Sequence, residues 1–233
     1  MIALTAVAAL VIVVVAGVSI VELRQNGPGG SSTSTGSGQA QAAIPATRQA
    51  DGSIVLAEPG VTQPVLELYE DFQCPVCKSF EDSSGQTIRS LVQDGKLKVV
   101  YRPFRLFDQE PMRSNSGRAA NAAACAPADQ WLRLHDLLFE YQPAEGTNGF
   151  AVADLQNWGR QAGITDSAFA TCVSGEQKSA DVEAATRAAL ASGVQGTPTG
   201  RLDGKDLGTN TLFSPDALRA AITGGATDQP TGA

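Results

Sequence analysis

The sequence predicts an α/β fold in which a strand–helix–strand unit and a strand–strand–helix unit are separated by a helical block. Three observations carry that prediction. Strand-like apolar runs at Val65–Tyr69 and Leu97–Arg102 flank a helical pattern that starts at Pro75. From about 104 to 192, apolar residues recur at helical spacing. Gly196-Thr197-Pro198-Thr199 then breaks the pattern, and two short strand-like runs around Asp203-Gly204 lead into a final helical run, Ser214–Ile222. The 233 residues, 42% of them hydrophobic, allow one good-sized domain with attachments. A net charge of -7 without a basic run argues against nucleic acid or anionic lipid as a partner.

Residues 1–21 carry no charged side chain and are rich in Val, Ala, Ile and Leu. That length suits a transmembrane anchor. A cleaved signal peptide is the rival, but it calls for a basic start, a shorter apolar core and a small-residue cleavage site. The next stretch, 22–50, contains a Gly/Ser/Thr/Gln tract with little to bury and reads as a flexible linker. It would let the domain range about 25–30 Å from a membrane. The folded domain is expected over 51–223, with a disordered tail over 224–233.

Within the domain, Asp51-Gly52 signals a turn and Ile54–Leu56 a short strand. Val65–Tyr69 is the next strand. Pro75 suits the first turn of the following helix, where its missing N–H is no loss. Cys77, Phe80, Ile88, Leu91 and Val92 mark the buried face of that helix, Gly85 is placed to kink it, and Gly95 to end it. In the helical block, Trp131, Leu134, His135 and Leu138 share one face, and Asp166 stands at an N-cap position. Trp131 and Trp158 fit core packing. No metal-binding motif, phosphate-binding loop or internal repeat is present, and no cofactor is implied.

The chemistry sits at the strand-to-helix junction Cys74-Pro75-Val76-Cys77. A Cys-x-x-Cys there reads as a thioredoxin-like redox motif. Cys74 precedes the helix, where backbone N–H groups and the dipole favour thiolate. It is therefore expected to be the exposed nucleophile, with Cys77, one turn into the helix, as the buried resolving thiol. A zinc site would want a second close pair, but Cys125 and Cys172 stand far apart. Glu67, in the strand before the motif, is a candidate proton relay, whereas Glu70 and Asp71 read as solvated carboxylates. His135, the single histidine, reads as a half-buried helix residue or as a proton shuttle.

The run Glu70-Asp71-Phe72-Gln73-Cys74-Pro75-Val76-Cys77, together with Gly193-Val194-Gln195-Gly196-Thr197-Pro198-Thr199, resembles the DsbA-like thiol-disulfide oxidoreductases of the thioredoxin-like superfamily, in their membrane-anchored or secreted bacterial branch. The resemblance covers roughly 54–222. It implies that the Thr197–Pro198 bond is cis and faces the cysteine pair, with Pro75, Val76 and the Thr197 backbone meeting the substrate chain. It also implies an enzyme that oxidises cysteine pairs in secreted proteins outside the plasma membrane and is itself re-oxidised by a membrane oxidase of the DsbB or vitamin K epoxide reductase type. Cys125 and Cys172 would form a structural disulfide; a second redox relay is the alternative. Two departures stand out. Gly200-Arg201 follow the proline where the family carries bulky apolar residues, and Val76 replaces the His that DsbA has between its cysteines. Val76 has no hydrogen bond to give a thiolate, so the expected potential falls between DsbA at about -120 mV and thioredoxin at about -270 mV. The rival functions are a reductase or isomerase of the same fold, and a non-catalytic thioredoxin-like binding module.

Overall fold

The computed structural model describes residues 44–224. The expected anchor at 1–21, most of the linker and nearly all of the tail lie outside the described residues. Among the described residues no helix is long and apolar enough to cross a membrane.

The fold begins earlier than the composition suggested. β1 (Ala46–Arg48) lies inside the expected linker and pairs antiparallel with β2 (Ile54–Leu56) across the Asp51-Gly52 turn. Arg48 holds it down by donating to the carbonyls of Ala123 and Ala126 at 3.0 and 2.8 Å. A three-residue strand fixed by one distant guanidinium leaves no hydrophobic periodicity to read.

β3 (Val65–Glu70) and β4 (Lys98–Pro103) are parallel, as a strand pair joined through a helical crossover must be. The crossover is a single helical run: α1 (Pro75–Phe80), a π-helical turn (Glu81–Gly85) and α2 (Gln86–Gln93). Gly85 sits in the π turn because a Cβ there would collide with the Glu81 carboxylate. Gly95, at φ +67°, ends the run as its left-handed stop.

The helical block comprises α3 (Met112–Cys125), α4 (Ala128–Glu140), α5 (Val152–Gln161), α6 (Ser167–Ser174) and α7 (Ser179–Ala191). Asp166 caps α6, accepting from the Ala168 N–H at 2.8 Å. Cys125 at the end of α3 is disulfide-bonded to Cys172 in α6, with a Cα–Cα distance of 5.9 Å. The chain returns through β5 (Thr199–Leu202) and β6 (Lys205–Asp206), then α8 (Thr209–Leu212) and α9 (Pro215–Thr223). The sheet order is β1-β2-β4-β3-β5-β6, with β5 antiparallel to β3.

Side chains alternate along β3, so its two faces have different duties. Leu66 and Leu68 join Val99, Tyr101, Cys77, Phe80, Ile88, Leu91, Trp131, Leu134 and Leu218 in the main core. Tyr69 faces the other way, into a smaller cluster with Phe104, Ala189 and Val194. The two unusual residues after Pro198 also find their reasons. A Cβ on Gly200 would meet the Leu212 side chain at 2.5 Å, so only glycine lets α8 lie this close to β5. Arg201 donates to Asp206 at 2.6 Å and to the Ser192 carbonyl that ends α7 at 3.0 Å, and its guanidinium covers the Tyr69 ring. A charged side chain thus ties the strand to the neighbouring helix end, where a cation suits the last carbonyls.

Candidate active site

The site is assembled where β3 runs out. After Glu70 the chain makes a tight loop in which the Cys74 N–H donates to the Asp71 carbonyl at 2.9 Å. The Asp71 side chain holds this loop from the inside. It accepts from the N–H groups of Gln73 and Leu106, each at 2.7 Å, and from the Ser116 hydroxyl at 2.8 Å. Gln73 in turn accepts from Asn115 at 2.7 Å, and Gln142, just beyond α4, donates to the carbonyls of Phe72 and Cys74 at 2.7 and 3.0 Å. Asp71 and Glu70 are therefore fully buried structural and core groups, not the solvated carboxylates that sequence position suggested. Asn115, Ser116 and Gln142 left no readable trace in the sequence, because each reaches the loop from a segment distant in the chain, α3 or the stretch after α4.

Cys74 occupies the N-cap of α1, with Pro75 as the first helical residue. Cys74 and Cys77 are free thiols, 5% and 0% exposed. Cys74 is more covered than a residue ahead of its helix was expected to be. Its Sγ lies under the Thr197–Pro198 segment, 3.5 Å from the Thr197 carbonyl oxygen. The Thr197–Pro198 peptide bond is cis. Pro75 and Val76 are exposed on the adjoining surface.

The two thiols are driven apart in acidity. The hydrogen bond from Cys77 is the largest influence on Cys74. Against the opposing pull of burial, and helped by Thr197 and by the backbone N–H groups of Cys77 and Val76, it brings the Cys74 thiol down to about 6. For Cys77, burial is the first cause of a strong upward push, to which its bond to Cys74 and the Glu70 charge add. The arrangement is one stabilised thiolate at a helix N-terminus beside one thiol that keeps its proton. It supports disulfide exchange, in which a low-pKa sulfur is a good leaving group and a buried neighbour closes the ring.

Glu67 is not part of this site. It points to the opposite face of β3 from Glu70, three residues on, and accepts from the Arg102 guanidinium at 2.9 Å. Strand alternation separates the two acids: the one whose charge reaches Cys77 is Glu70. Beside Glu70 stands His135, which is 1% exposed and not half-buried. Cys125 and Cys172, already joined, contribute no thiol to the site.

Comparisons with known proteins agree with this geometry. The family model described as thioredoxin matches residues 61–223. No curated protein matches the chain. Among solved structures, the reduced disulfide bond oxidoreductase DsbG of Mycobacterium tuberculosis is 32% identical, with 75% of this chain and 84% of that chain covered at a TM-score of 0.63. Reduced DsbA from the same organism is 31% identical over 75% of this chain and 89% of that one, TM-score 0.62. BdbD of Bacillus subtilis, 19% identical, shares the fold at a TM-score of 0.65, with 78% of this chain and 97% of that chain covered. A free Cys-x-x-Cys on a helix N-terminus under a Thr-Pro segment, inside a thioredoxin-family match and beside relatives of this kind, places the chain among the DsbA-like thiol-disulfide oxidoreductases.

Proposed function

We propose that the protein is an oxidant, passing its Cys74–Cys77 disulfide to reduced cysteine pairs in secreted proteins outside the plasma membrane, held there by its N-terminal segment. The observation that carries this reading is the Cys74 thiol at about 6. A substrate thiolate attacks the disulfide at Cys74, and Cys77 leaves and takes up a proton. The substrate's second thiolate then attacks its own sulfur in the mixed disulfide and expels Cys74. The lower the pKa of Cys74, the better it leaves and the more the reduced enzyme is stabilised. A value of about 6 for Cys74 lies between the thioredoxin thiol at about 7 and the DsbA thiol at about 3.5.

Other features support the same direction. The Cys125–Cys172 bond suits an oxidising compartment. Exposed Pro75 and Val76, with the Thr197 backbone, offer an apolar rim and hydrogen-bonding groups where an extended substrate strand would lie. Oxidation leaves the enzyme reduced, so a membrane oxidase of the DsbB or vitamin K epoxide reductase type is the proposed partner that restores the disulfide. In cells carrying Cys77→Ala, mixed disulfides between Cys74 and secreted proteins should accumulate and disappear with Cys74→Ser. A Cys77→Ala protein that traps no partner would contradict the reading.

A further inference from the structure

Four buried side-chain oxygens have no hydrogen-bond partner among the described residues: Glu70 Oε1, Glu81 Oε1, the Tyr101 hydroxyl and the Thr197 hydroxyl. Two of them belong to carboxylates, for which burial without a partner is costly. Such a group points to a bound ion or water. Glu70 and Glu81 share their surroundings with His135. One ligand atom from each of the three lies within 4.8 Å of the other two. Their side chains are 2%, 6% and 1% exposed, in that order. The rings of Phe72, Tyr101, Trp131 and Phe139 surround the imidazole with centroids 4.9 to 5.6 Å away, leaving its two nitrogens as polar contacts. Glu70 comes from β3, Glu81 from the π turn and His135 from α4. Ligands drawn from three separate elements leave no metal-binding spacing in the sequence.

We propose that Glu70, Glu81 and His135 bind one divalent cation of the zinc type. His135 Nε2 lies 3.3 Å from Glu70 Oε2. Zinc bonds of about 2.0–2.1 Å place neighbouring ligands of a tetrahedron roughly 3.3–3.4 Å apart, so this pair already spans one edge. The remaining separations close through small turns of the carboxylates, and a water completes the shell. Two carboxylates and a neutral imidazole balance the charge of the ion, as a buried site requires. The imidazole nitrogen selects a zinc-type ion over calcium or magnesium, which take oxygen ligands.

The groups around the three ligands suit this role. His135 Nδ1 is 3.1 Å from Asp136 Oδ1, a half-exposed carboxylate. A ligating histidine characteristically donates its other N–H to such a carboxylate, which fixes the ring with Nε2 towards the ion. The ion takes the place of the Nε2 proton, which is released to solvent, while the Nδ1–H bond to Asp136 is kept. Arg89 on α2 donates to Glu81 Oε2 at 3.3 Å and to Asp136 at 3.4 Å. That bond leaves Glu81 Oε1, the oxygen without a partner, to ligate. The π turn aims Glu81 inward, and single π turns recur at functional sites. A bound ion would tie β3, the π turn and α4 to one another.

The test uses the untagged full-length protein in detergent with both cysteine pairs oxidised, so that no thiol competes for the ion. The protein is unfolded in urea, refolded with ZnCl2 and desalted, which gives zinc access to the buried ligands. About one equivalent of zinc should be retained. X-ray absorption at the zinc edge should show a single imidazole among oxygen ligands. His135 is the one histidine in the chain, so that imidazole identifies the site. No retained zinc, or zinc with oxygen ligands alone, overturns the proposal. Burial first, and then the Glu70 charge, push the Glu81 carboxyl towards its neutral form. Glu81→Gln is therefore a substitution of matching shape and charge that the core accepts. It should weaken zinc binding by about 10-fold or more, and an unchanged affinity overturns the site. The redox pair stays oxidised throughout, so neither result bears on the reading of Cys74 and Cys77.

Discussion

At the residue scale, the difference between Cys74 and Cys77 sets the pH behaviour of the enzyme. Cys74 has a folded value of about 6 against an ordinary value of 9.0. A depressed group stabilises the folded dithiol above its unfolded pKa, and that contribution is lost as pH falls towards the folded value. The reduced protein therefore gains stability from the Cys74 thiolate fully above pH ~9, progressively less down to ~6, and none below that. Cys77 is pushed the other way and keeps its proton across this range. Reduction of the disulfide then takes up one proton above pH ~6 and two below it. The potential should fall by about 30 mV per pH unit above the break and about 59 mV below it. Titrating the potential from pH 5 to 8 checks this, and a constant two-proton slope would show that Cys74 holds its proton throughout. The Val76 side chain, 50% exposed and aliphatic, gives the thiolate no bond. The depression is built from the Cys77 thiol, the helix N–H groups and Thr197.

At the element scale, legibility followed periodicity and local turn chemistry. The β3–α1–α2–β4 crossover was readable because Pro75, the spaced apolar residues and Gly95 each mark a boundary by a local physical rule. β1, α8 and the π turn were not. β1 is held by its own Arg48 reaching across the fold to the end of α3, α8 has four residues, and the π turn carries Glu81, which pairs with Arg89. The same limit explains Glu67. Sequence position put an acid near the cysteines, but only the register of β3 decides which acid faces them. The disulfide between α3 and α6 belongs to this scale too. It closes a separation of 47 residues within the helical block and touches neither active thiol. Replacing both Cys125 and Cys172 by serine should cost about 3–4 kcal/mol of stability. The potential of the Cys74–Cys77 pair should stay unchanged. Urea unfolding and glutathione equilibration measure the two quantities separately, and a shifted potential would point to a redox role for the second pair.

At the scale of the whole molecule, the α/β core is shared with thioredoxins and the helical block adds what this chain needs at its site. α3 and the segment after α4 send Asn115, Ser116 and Gln142 back to the loop before Cys74, while α4 brings His135 to Glu70. The motif, Cys74-Pro75-Val76-Cys77 with Thr197-Pro198, was visible in the sequence because each residue type meets a local demand: thiolate at a helix start, proline at its first turn. The bracing around it was invisible because it joins residues up to 70 positions apart in sequence. Function therefore rests on a readable motif set in an unreadable frame. The central claim is that this frame poises Cys74–Cys77 as an oxidant milder than DsbA. It is tested most directly by equilibrating the protein with reduced and oxidised glutathione at pH 7 and reading the dithiol fraction. The account predicts a potential between about -270 and -120 mV. A value below about -270 mV, more reducing than thioredoxin, would contradict it.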